Sequence, residues 1–455
     1  MTGTKFLLIN AIDGHIELDF TLPHLGLGYI ASYVRDNLDS IDVRIIDGDF
    51  KREILSFRPD LVGITSVSQN FGIARNIASL CEGEDIPVII GGPHISALPS
   101  QLSPGMDVGV IGEGERTVLE IIRFFEEHGM DFGKIGDIDG IVYRDDGELK
   151  VTDTRKLIDP LDTIPLPARD LLNIRRGDRL HMFSSRGCPF RCRFCSSSRF
   201  WGSVRFFSAG YVLDEIRYMI DKYHPPHIAF SDDLIIANKR RLREIADMID
   251  EEGIGDEVSF SLKCRANLVN EEVVRLLKKM NVIEVGIGLE SGSQKILNYL
   301  KDGTTVEDNR TAIDLIKRYD ILLSPTFILG SPSETKEDAL ETLDFIRRSK
   351  MDQFNFFTLI PLPGTPVWDY AKERGLVSDD MDWSKLSLAP NSLSFDGVVL
   401  SEEMSEEELI EVYSSFERER KKRYHGYVIR KGLKHPNQVI PFLRKKVAFR
   451  LGCES

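Results

Sequence analysis

The chain has 455 residues, which is too long for one simple hydrophobic core and predicts two or three domains. Its formal net charge of −14 excludes a general nucleic-acid binder. The N-terminus has no basic-then-apolar signal, no apolar run is long enough to span a bilayer, and the few cysteines form no disulfide framework, so we expect a protein of a reducing cytoplasm.

Continuous apolar runs alternate with helix-length segments over residues 1–140. Runs rich in Val and Ile are typical of strands that are covered on both faces. Strands separated by helices predict an α/β fold with a Rossmann-like, doubly wound parallel sheet, whose ligands bind beyond the carboxyl ends of the strands. The predicted strands are Lys5–Ala11, Val43–Asp47, Leu61–Val67, Val88–Gly92 and Val108–Gly112.

Polar and glycine-rich segments follow the third, fourth and fifth of these strands. Glycines there let the backbone approach a ligand closely. No Gly-x-Gly-x-x-Gly follows the first strand, so no dinucleotide site is predicted. Together with residues 25–31, these segments resemble the cobalamin-binding domain found ahead of many radical S-adenosylmethionine (SAM) domains. The resemblance implies cobalamin contacts from Ser66, Ser68, Gln69, Gly91, Gly92, His94, Gly112, Glu113 and Gly114.

The loop after the first strand contains Asp13-Gly-His15, followed three residues later by Leu18. Many methyl-transfer enzymes with the cobalamin fold have Asp-x-His-x-x-Gly at this place, and their histidine ligates cobalt. Because Leu18 replaces the final glycine, we interpret His15 as a loop histidine rather than a cobalt ligand. The alternative for the whole domain is a sheet that has kept the fold and lost the corrin. The retained glycine loops argue against that alternative.

Residues 141–180 are predicted as a hairpin and a Pro-rich connector. The hairpin turns at Asp146-Gly147. Pro165 and Pro167 stiffen the connection that follows. A fixed angle would suit two cofactors that face one substrate, and a plain spacer is equally compatible with these residues.

Three cysteines, Cys188, Cys192 and Cys195, follow the next predicted strand. Soft thiolates bind iron–sulfur clusters, zinc or copper. A tetrahedral zinc or an ordinary four-iron cluster takes four protein ligands, and no fourth Cys or His lies nearby in the sequence. A cube held by three thiolates keeps one iron open for a substrate or co-substrate. The alternatives are a zinc loop with a distant fourth ligand and a disulfide, which three such close cysteines form poorly.

The spacing Cys-x-x-x-Cys-x-x-Cys, with Phe194 before the third cysteine, resembles the radical SAM superfamily. The resemblance implies a 4Fe–4S cluster whose open iron is chelated by SAM. It also implies a one-electron donor such as flavodoxin or ferredoxin, and cleavage of SAM to a 5′-deoxyadenosyl radical.

Six strand-like runs alternate with helices over residues 181–375 and predict a partial (βα)6 TIM barrel, whose site lies at the carboxyl ends of the strands. The runs are His181–Ser185, His227–Asp232, Val258–Cys264, Glu284–Glu290, Leu323–Gly330 and Phe354–Ile360. By resemblance, Asp232 and Asp233 contact the SAM ammonium and Arg265 pairs with the SAM carboxylate. The other residues that the resemblance assigns to SAM are Phe194, Glu290, Ser291, Leu329, Leu359 and Ile360.

Residues 376–455 are predicted as a mostly helical C-terminal extension. A capping box at residues 405–408 opens an acidic helix that runs into a basic stretch. We interpret this region as a solvated cap on the barrel. The alternative is a platform for an anionic substrate or a membrane surface.

The two resemblances together predict a cobalamin-dependent radical SAM enzyme. We expect methyl transfer to an unactivated carbon of a small-molecule or lipid-like substrate. The first alternative is radical-driven cyclisation or oxidation without net methylation, as in anaerobic porphyrin cyclases. The alternative from another class is a non-catalytic corrinoid or iron–sulfur binding module.

Overall fold

The computed structural model describes residues 3–12, 22–129, 131–386, 391 and 396–434. The loop with His15 and the basic segment 442–449 lie outside these residues. The strands are β1 (Thr4–Asn10), β2 (Ile41–Asp47), β3 (Leu61–Thr65), β4 (Val88–Gly91), β5 (Val108–Val110), β6 (Ile141–Asp145), β7 (Glu148–Val151), β8 (Leu180–Met182), β9 (Ser185–Arg186), β10 (Arg205–Phe206), β11 (His227–Phe230), β12 (Ser259–Cys264), β13 (Val282–Glu290), β14 (Leu322–Leu329) and β15 (Asn355–Thr358).

The α-helices alternate with the strands through most of the chain, as the apolar periodicity predicts. They are α1 (Leu25–Asn37), α2 (Phe50–Phe57), α3 (Phe71–Glu82), α4 (Pro93–Ala97), α5 (Glu115–His128), α6 (Ser197–Phe200), α7 (Ala209–Tyr223), α8 (Lys239–Glu251), α9 (Ile254–Glu257), α10 (Glu271–Lys279), α11 (Gln294–Leu300), α12 (Val306–Arg318), α13 (Lys336–Arg348), α14 (Pro366–Glu373) and α15 (Glu406–Lys434).

The first sheet has seven strands in the order β2-β1-β3-β4-β5-β6-β7. Strands β1 to β5 are parallel, which confirms the Rossmann-like prediction. The hairpin predicted for the connector is present as β6 and β7, but it extends this sheet as an antiparallel edge. The reason is burial: Ile141 and Val142 are fully covered beside β5 and could not lie in an exposed linker.

The second sheet has six parallel strands in the order β15-β14-β13-β12-β11-β8. This arrangement confirms the partial barrel. The first predicted strand is divided, because β8 ends at Met182 and β9 pairs antiparallel with β10 instead. Strands β9 and β10 thus form a two-stranded base, and the cysteine loop lies in the segment that connects them.

The two sheets share their hydrophobic cores. Leu25 and Tyr29 of α1 belong to the core on the helical side of the barrel. Trp368 of α14 and Trp383 belong to the core of the first sheet. Apolar side chains from each part of the chain thus pack into the core of the other, and this packing stabilises the interface between the two sheets.

Helix α15 begins with the predicted capping box, which the structure confirms. The amide of Ser405 donates to Glu408 Oε2 at 3.1 Å, and the amide of Glu408 donates to Ser405 Oγ at 3.3 Å. The hydroxyl of Tyr413 donates a hydrogen bond to Thr358 Oγ1 at 2.8 Å, so the helix covers the carboxyl end of β15. Among the described residues, no helix has both the length and the apolar character needed to cross a bilayer.

Candidate active site

The cysteine loop lies between β9 and α6. Cys188, Cys192 and Cys195 all carry free thiols. Arg199 folds the loop back on itself, since its Nη1 donates to the carbonyl oxygens of Cys192 at 3.1 Å and Cys195 at 2.7 Å. A loop tied in this way presents its thiols together at the carboxyl end of β8, where barrel sites lie.

Arg265, at the end of β12, contacts this loop directly. Its Nη1 donates to Cys192 Sγ at 3.1 Å, and its guanidinium lies 3.8 Å from the ring centroid of Phe190. Its Nη2 donates to the carbonyl oxygen of Asp302 and, at 2.8 Å, to Thr304 Oγ1. A guanidinium has five N–H donors, and Nε donates to the nearby Asn267. One Nη1 hydrogen is therefore left for a ligand beside the cysteines.

The two adjacent carboxylates after β11 have different surroundings. Asp232 is buried and accepts hydrogen bonds from the amide of Ser184 at 3.1 Å and from the hydroxyls of Ser184 and Ser185. Burial raises the pKa of Asp232, although the two serines oppose that shift. Asp232 therefore secures the segment that follows β8, and its contact with the SAM ammonium stays a prediction. Asp233 accepts from Ser197 and is the carboxylate beside the cysteine loop.

The remaining residues assigned to SAM lie at the predicted strand ends, with differing exposure to the site. Glu290 adopts a left-handed φ of 60° and pairs with Lys301 Nζ at 2.9 Å. Ser291 is buried against Thr342 of α13, with 2.9 Å between the hydroxyl oxygens. The buried apolar residues at the ends of β14 and β15 are Leu329, Leu359 and Ile360, and Phe194 is half-buried within the loop.

The donor set of the loop, three soft thiolates, fits an iron–sulfur cluster. In the described ranges, no three Cys, His, Asp or Glu side chains surround one point closely enough to hold a metal ion. Zinc needs its ligands at about 2.0–2.3 Å from one atom. A four-iron cube instead takes each thiolate on a different iron. The three soft thiolates of the loop can each hold one iron of such a cluster.

A cavity of about 420 Å³ lies between the carboxyl edge of the first sheet and strands β8 and β9. This volume is within the range of small-molecule sites. Its walls are mostly apolar, and the backbone of Gly112 is open to it, since an added Cβ there would meet no atom within 4 Å. The predicted cobalamin contacts that line the cavity are Gly91, Gly92, Gly112, Glu113 and Gly114. The barrel contributes His181, Phe183, Arg186, Phe200 and Trp201.

The apolar walls and the exposed glycine backbone fit a part of a cobalamin. His181 holds the two sides together, because its ring nitrogens lie 2.8 Å from the carbonyl oxygen of Pro23 and 3.0 Å from Ser231 Oγ. The cavity therefore joins the ligand edge of the first sheet to the strands that carry the cysteine loop.

Four predicted cobalamin contacts, Ser66, Ser68, Gln69 and His94, do not line this cavity, and their contact with cobalamin stays a prediction. His94 is fully buried, with Nδ1 3.0 Å from Ser68 Oγ and ring centroids 3.9 Å from Phe71 and 4.5 Å from Trp383. Burial lowers the pKa of His94 to about 4, so the ring is neutral. Ser68 is the partner of His94 in this contact. Ser66 donates to the carbonyl oxygen of Val67, and Gln69 is half-buried. The turn into α4 directs His94 to the α3 face of the sheet, away from the cavity.

A buried ionic network beside the cavity was missed by the sequence analysis. Glu113 Oε1 accepts from Arg186 Nη1 at 2.6 Å, and Glu113 Oε2 accepts from Arg205 Nη1 at 2.9 Å. Glu115 accepts from the other Arg186 nitrogen. Burial alone would raise the pKa of Glu113, but Arg205 and Arg186 outweigh it and keep that pKa below its ordinary value. We name these four residues the ionic network.

The ionic network changes the role expected for the glycine-rich segment that follows β5, residues 112–115. Glu113 is at the cavity, yet its carboxylate is occupied by arginines of β9 and β10 and by the amide of Ile158 at 2.8 Å. The sequence contains one signal for this network, which is opposite charge. Glu113 and Glu115 lie in one loop, and Arg186 and Arg205 flank the cysteine loop. Nothing local in the sequence pairs them, because 73 positions separate Glu113 from Arg186.

Comparison with known proteins agrees with both halves of this arrangement. The family model of the radical SAM superfamily matches residues 182–346, and the B12 binding domain model matches residues 14–122. An uncharacterized methyltransferase of Pyrococcus horikoshii is 33% identical over 384 residues, covering 80% of this chain and 82% of the relative. An anaerobic magnesium-protoporphyrin IX monomethyl ester cyclase of Rubrivivax gelatinosus is 25% identical, covering 82% and 71%.

A solved structure shows the same fold. The radical SAM methyltransferase TsrM from Kitasatospora setae superposes with a TM-score of 0.68 at 19% identity, covering 82% of this chain and 76% of that protein. The cysteine loop, the barrel and the cavity-bearing sheet thus occur together as in known members, for which the 4Fe–4S cluster, SAM and cobalamin are the implied cofactors. The chain is an enzyme of the radical SAM superfamily, in the branch with a B12 binding domain ahead of the barrel.

Proposed function

We propose that this protein is a cobalamin-dependent radical SAM methyltransferase that acts on an unactivated carbon. The observation that carries the proposal is the cavity of the B12-type sheet, whose far wall is made by the strands that hold the cysteine loop. The methyltransferase name of the relative from Pyrococcus horikoshii supports the same reaction. When bound, the cluster and SAM supply a 5′-deoxyadenosyl radical, and the cobalamin supplies the methyl group.

The residues of the chain bind and orient in this proposal. Cys188, Cys192 and Cys195 hold the cluster. Arg265 offers its remaining N–H to a carboxylate, and Asp233 offers a carboxylate to an ammonium, so together they suit the amino-acid end of SAM. Gly91, Gly92, Gly112 and Gly114 receive the cobalamin through their backbone, which closely approaching ligands require.

The proposal is tested by anaerobic reconstitution of the full chain with iron, sulfide and cobalamin, followed by metal analysis and an assay with methyl-deuterated SAM. We expect iron and sulfide near cluster stoichiometry, release of 5′-deoxyadenosine, and the deuterated methyl group in the product. Cys195→Ser should lose the iron and the SAM cleavage, while Cys81→Ser, a change at a buried core thiol, should keep both.

Other outcomes of that assay identify the rival functions. A product that lacks the labelled methyl group would support a cyclase-like or oxidative reaction, as in the relative from Rubrivivax gelatinosus. Bound cofactors without any 5′-deoxyadenosine would indicate a non-catalytic binding module. Zinc at the three cysteines would contradict the proposal.

The same proposal includes a one-electron donor such as flavodoxin or ferredoxin, and a reducing cytoplasm. The free thiols of all five described cysteines support a reducing environment. A reduction assay with purified flavodoxin tests the donor, and chemical reductant serves as its reference.

A further inference from the structure

The sulfur atoms of the cysteine loop differ in the groups that donate hydrogen bonds to them. Burial raises the pKa of the Cys188 thiol, and a hydrogen bond from the backbone amide of Phe190 opposes that shift. Burial also raises the pKa of the Cys195 thiol, and hydrogen bonds from the backbone amides of Ser197 and Ser198 oppose it. These two sulfurs therefore accept from neutral backbone groups of their own loop.

The third sulfur accepts a hydrogen bond from a charged side chain. Arg265 Nη1 donates to Cys192 Sγ at 3.1 Å, and both side chains are buried. In the part of the chain that the structure describes, Arg265 is the one charged side chain bonded to a sulfur of this loop. A hydrogen bond from an ionised donor is roughly twice as strong as a neutral one. Arg265 thus places a full positive charge beside a thiolate that holds the cluster.

Groups outside the cysteine loop fix the position of this guanidinium. Its Nη2 donates to the carbonyl oxygen of Asp302 and, at 2.8 Å, to Thr304 Oγ1. Its Nε donates to Asn267 Oδ1 at 3.0 Å. Because these acceptors come from the segments that follow α11 and β12, Nη1 is directed at Cys192 by contacts that do not involve the sulfur itself.

A fixed positive charge beside a cluster sulfur favours the reduced cluster. Reduction adds one electron, and therefore one negative charge, to the cluster and its thiolates. Hydrogen bonds to the sulfurs and the net charge of the site are among the quantities that set the reduction potential of an iron–sulfur cluster. The guanidinium attracts the more negative, reduced form more strongly, and a buried contact is weakly screened by salt.

We propose that Arg265 acts through Cys192 to raise the reduction potential of the iron–sulfur cluster. The electron comes from the one-electron donor, which is oxidised as the cluster is reduced, and no bond or proton is transferred in this step. The role is separate from a contact with the SAM carboxylate, because it operates when no SAM is bound. It depends on the cluster and not on methyl transfer, so it goes beyond the proposed function.

The test is a reductive titration of the reconstituted full chain without SAM or cobalamin, in which electron paramagnetic resonance measures the reduced cluster. We expect Arg265→Gln to lower the ratio of reduced to oxidised cluster about tenfold at a given potential, which is a decrease of about 59 mV for a one-electron couple. Arg265→Lys keeps the positive charge and should show a smaller decrease. Arg243→Gln, at an exposed arginine of α8, should leave the potential unchanged.

A second variant provides the measurement if Arg265→Gln does not retain iron. Thr304→Val removes an acceptor of Arg265 without a change at the cysteines, and we expect a smaller decrease in potential because the guanidinium is held less firmly. An unchanged potential in Arg265→Gln, or in Thr304→Val where Arg265→Gln holds no cluster, overturns the proposal.

SAM affinity is measured on the same variants. Weaker SAM binding in Arg265→Gln at an unchanged potential would assign this arginine to the SAM carboxylate alone and would also overturn the proposal. Failure of the proposed function is distinguishable, since a product without the labelled methyl group leaves these potentials as they are.

Discussion

Single residues of this protein take their roles from the atoms that surround them, as Glu334 illustrates. This carboxyl group is fully buried at the end of β14, and its Oε2 accepts from the amides of Gly330 at 2.6 Å and Ser331 at 3.1 Å. Its Oε1 is also buried and finds no hydrogen-bond partner among the described residues. Burial raises the pKa of Glu334 to about 7, although the two amides oppose the shift.

This pKa predicts a pH-dependent stability. Because the folded-state pKa is above the unfolded value, the contribution of Glu334 is complete below the unfolded pKa and is lost as pH rises through about 7. In Glu334→Gln, the side-chain oxygen can still accept from the amides of Gly330 and Ser331, but the side chain carries no charge. We expect urea denaturation to show a smaller loss of unfolding free energy between about pH 5 and pH 8 in that variant.

A matched control is Glu373→Gln, which changes an exposed carboxylate of α14 and should preserve the pH profile of the unmodified protein. If Glu334→Gln also preserves that profile, Glu334 is not the titrating group.

At the scale of elements, the ionic network holds the two-stranded base of the cysteine loop against the first domain. Strands β9 and β10 pair with each other, with Arg186 opposite Arg205, and both arginines reach Glu113. Each of these three side chains is less than one-tenth exposed. Removal of one member of a buried ion pair leaves an uncompensated charge and costs roughly 3–5 kcal/mol.

The network predicts that Glu113→Gln destabilises the protein and loosens the cysteine loop. We expect a loss of unfolding free energy of roughly 3–5 kcal/mol in urea denaturation. We also expect less iron per chain after reconstitution, because the arginines on both sides of the loop lose their shared anchor.

The control is Glu252→Gln, which breaks an exposed pair with Arg217 and should cost about 0–1 kcal/mol. Equal effects of the two substitutions would show that the network does not anchor the loop.

At the scale of the whole molecule, neutral histidines lie at two contacts between the domains. His94 of the first domain packs against Trp383 of the C-terminal extension, and His181 of the barrel lies 2.8 Å from the carbonyl oxygen of Pro23 in the first domain. Burial lowers the pKa of both histidines to about 4. The two domains therefore meet through groups that resist protonation in the folded state.

These depressed pKa values predict acid sensitivity. The stability contributed by the neutral rings is present above the unfolded pKa of about 6.5 and is lost as pH falls toward 4. We expect the urea midpoint to fall between about pH 7 and pH 5, and His94→Gln to reduce that fall. His128→Gln, at an exposed histidine of α5, should not reduce it, and a full fall in His94→Gln would exclude His94 as its source.

The local features of this protein could be predicted from its amino-acid sequence. The strands of both sheets, the capping box at Ser405 and the cysteine spacing each depend on residues close together in the chain. Their side-chain period and backbone preferences operate over a few positions, and a single sequence displays such regularities directly. The family resemblance followed from the same local motifs and was confirmed by the matches to both domain models.

Which of two neighbouring polar groups lies beside the cysteine loop depends on long-range packing. Asp232 accepts hydrogen bonds from Ser184 and Ser185, while Asp233 accepts from Ser197 beside the cysteines. Glu113 is bound by arginines far along the chain. His94 turns toward Trp383, 289 positions away, instead of toward the cavity. Such choices depend on which distant segments pack together and satisfy each buried polar group, and local sequence patterns do not contain that information.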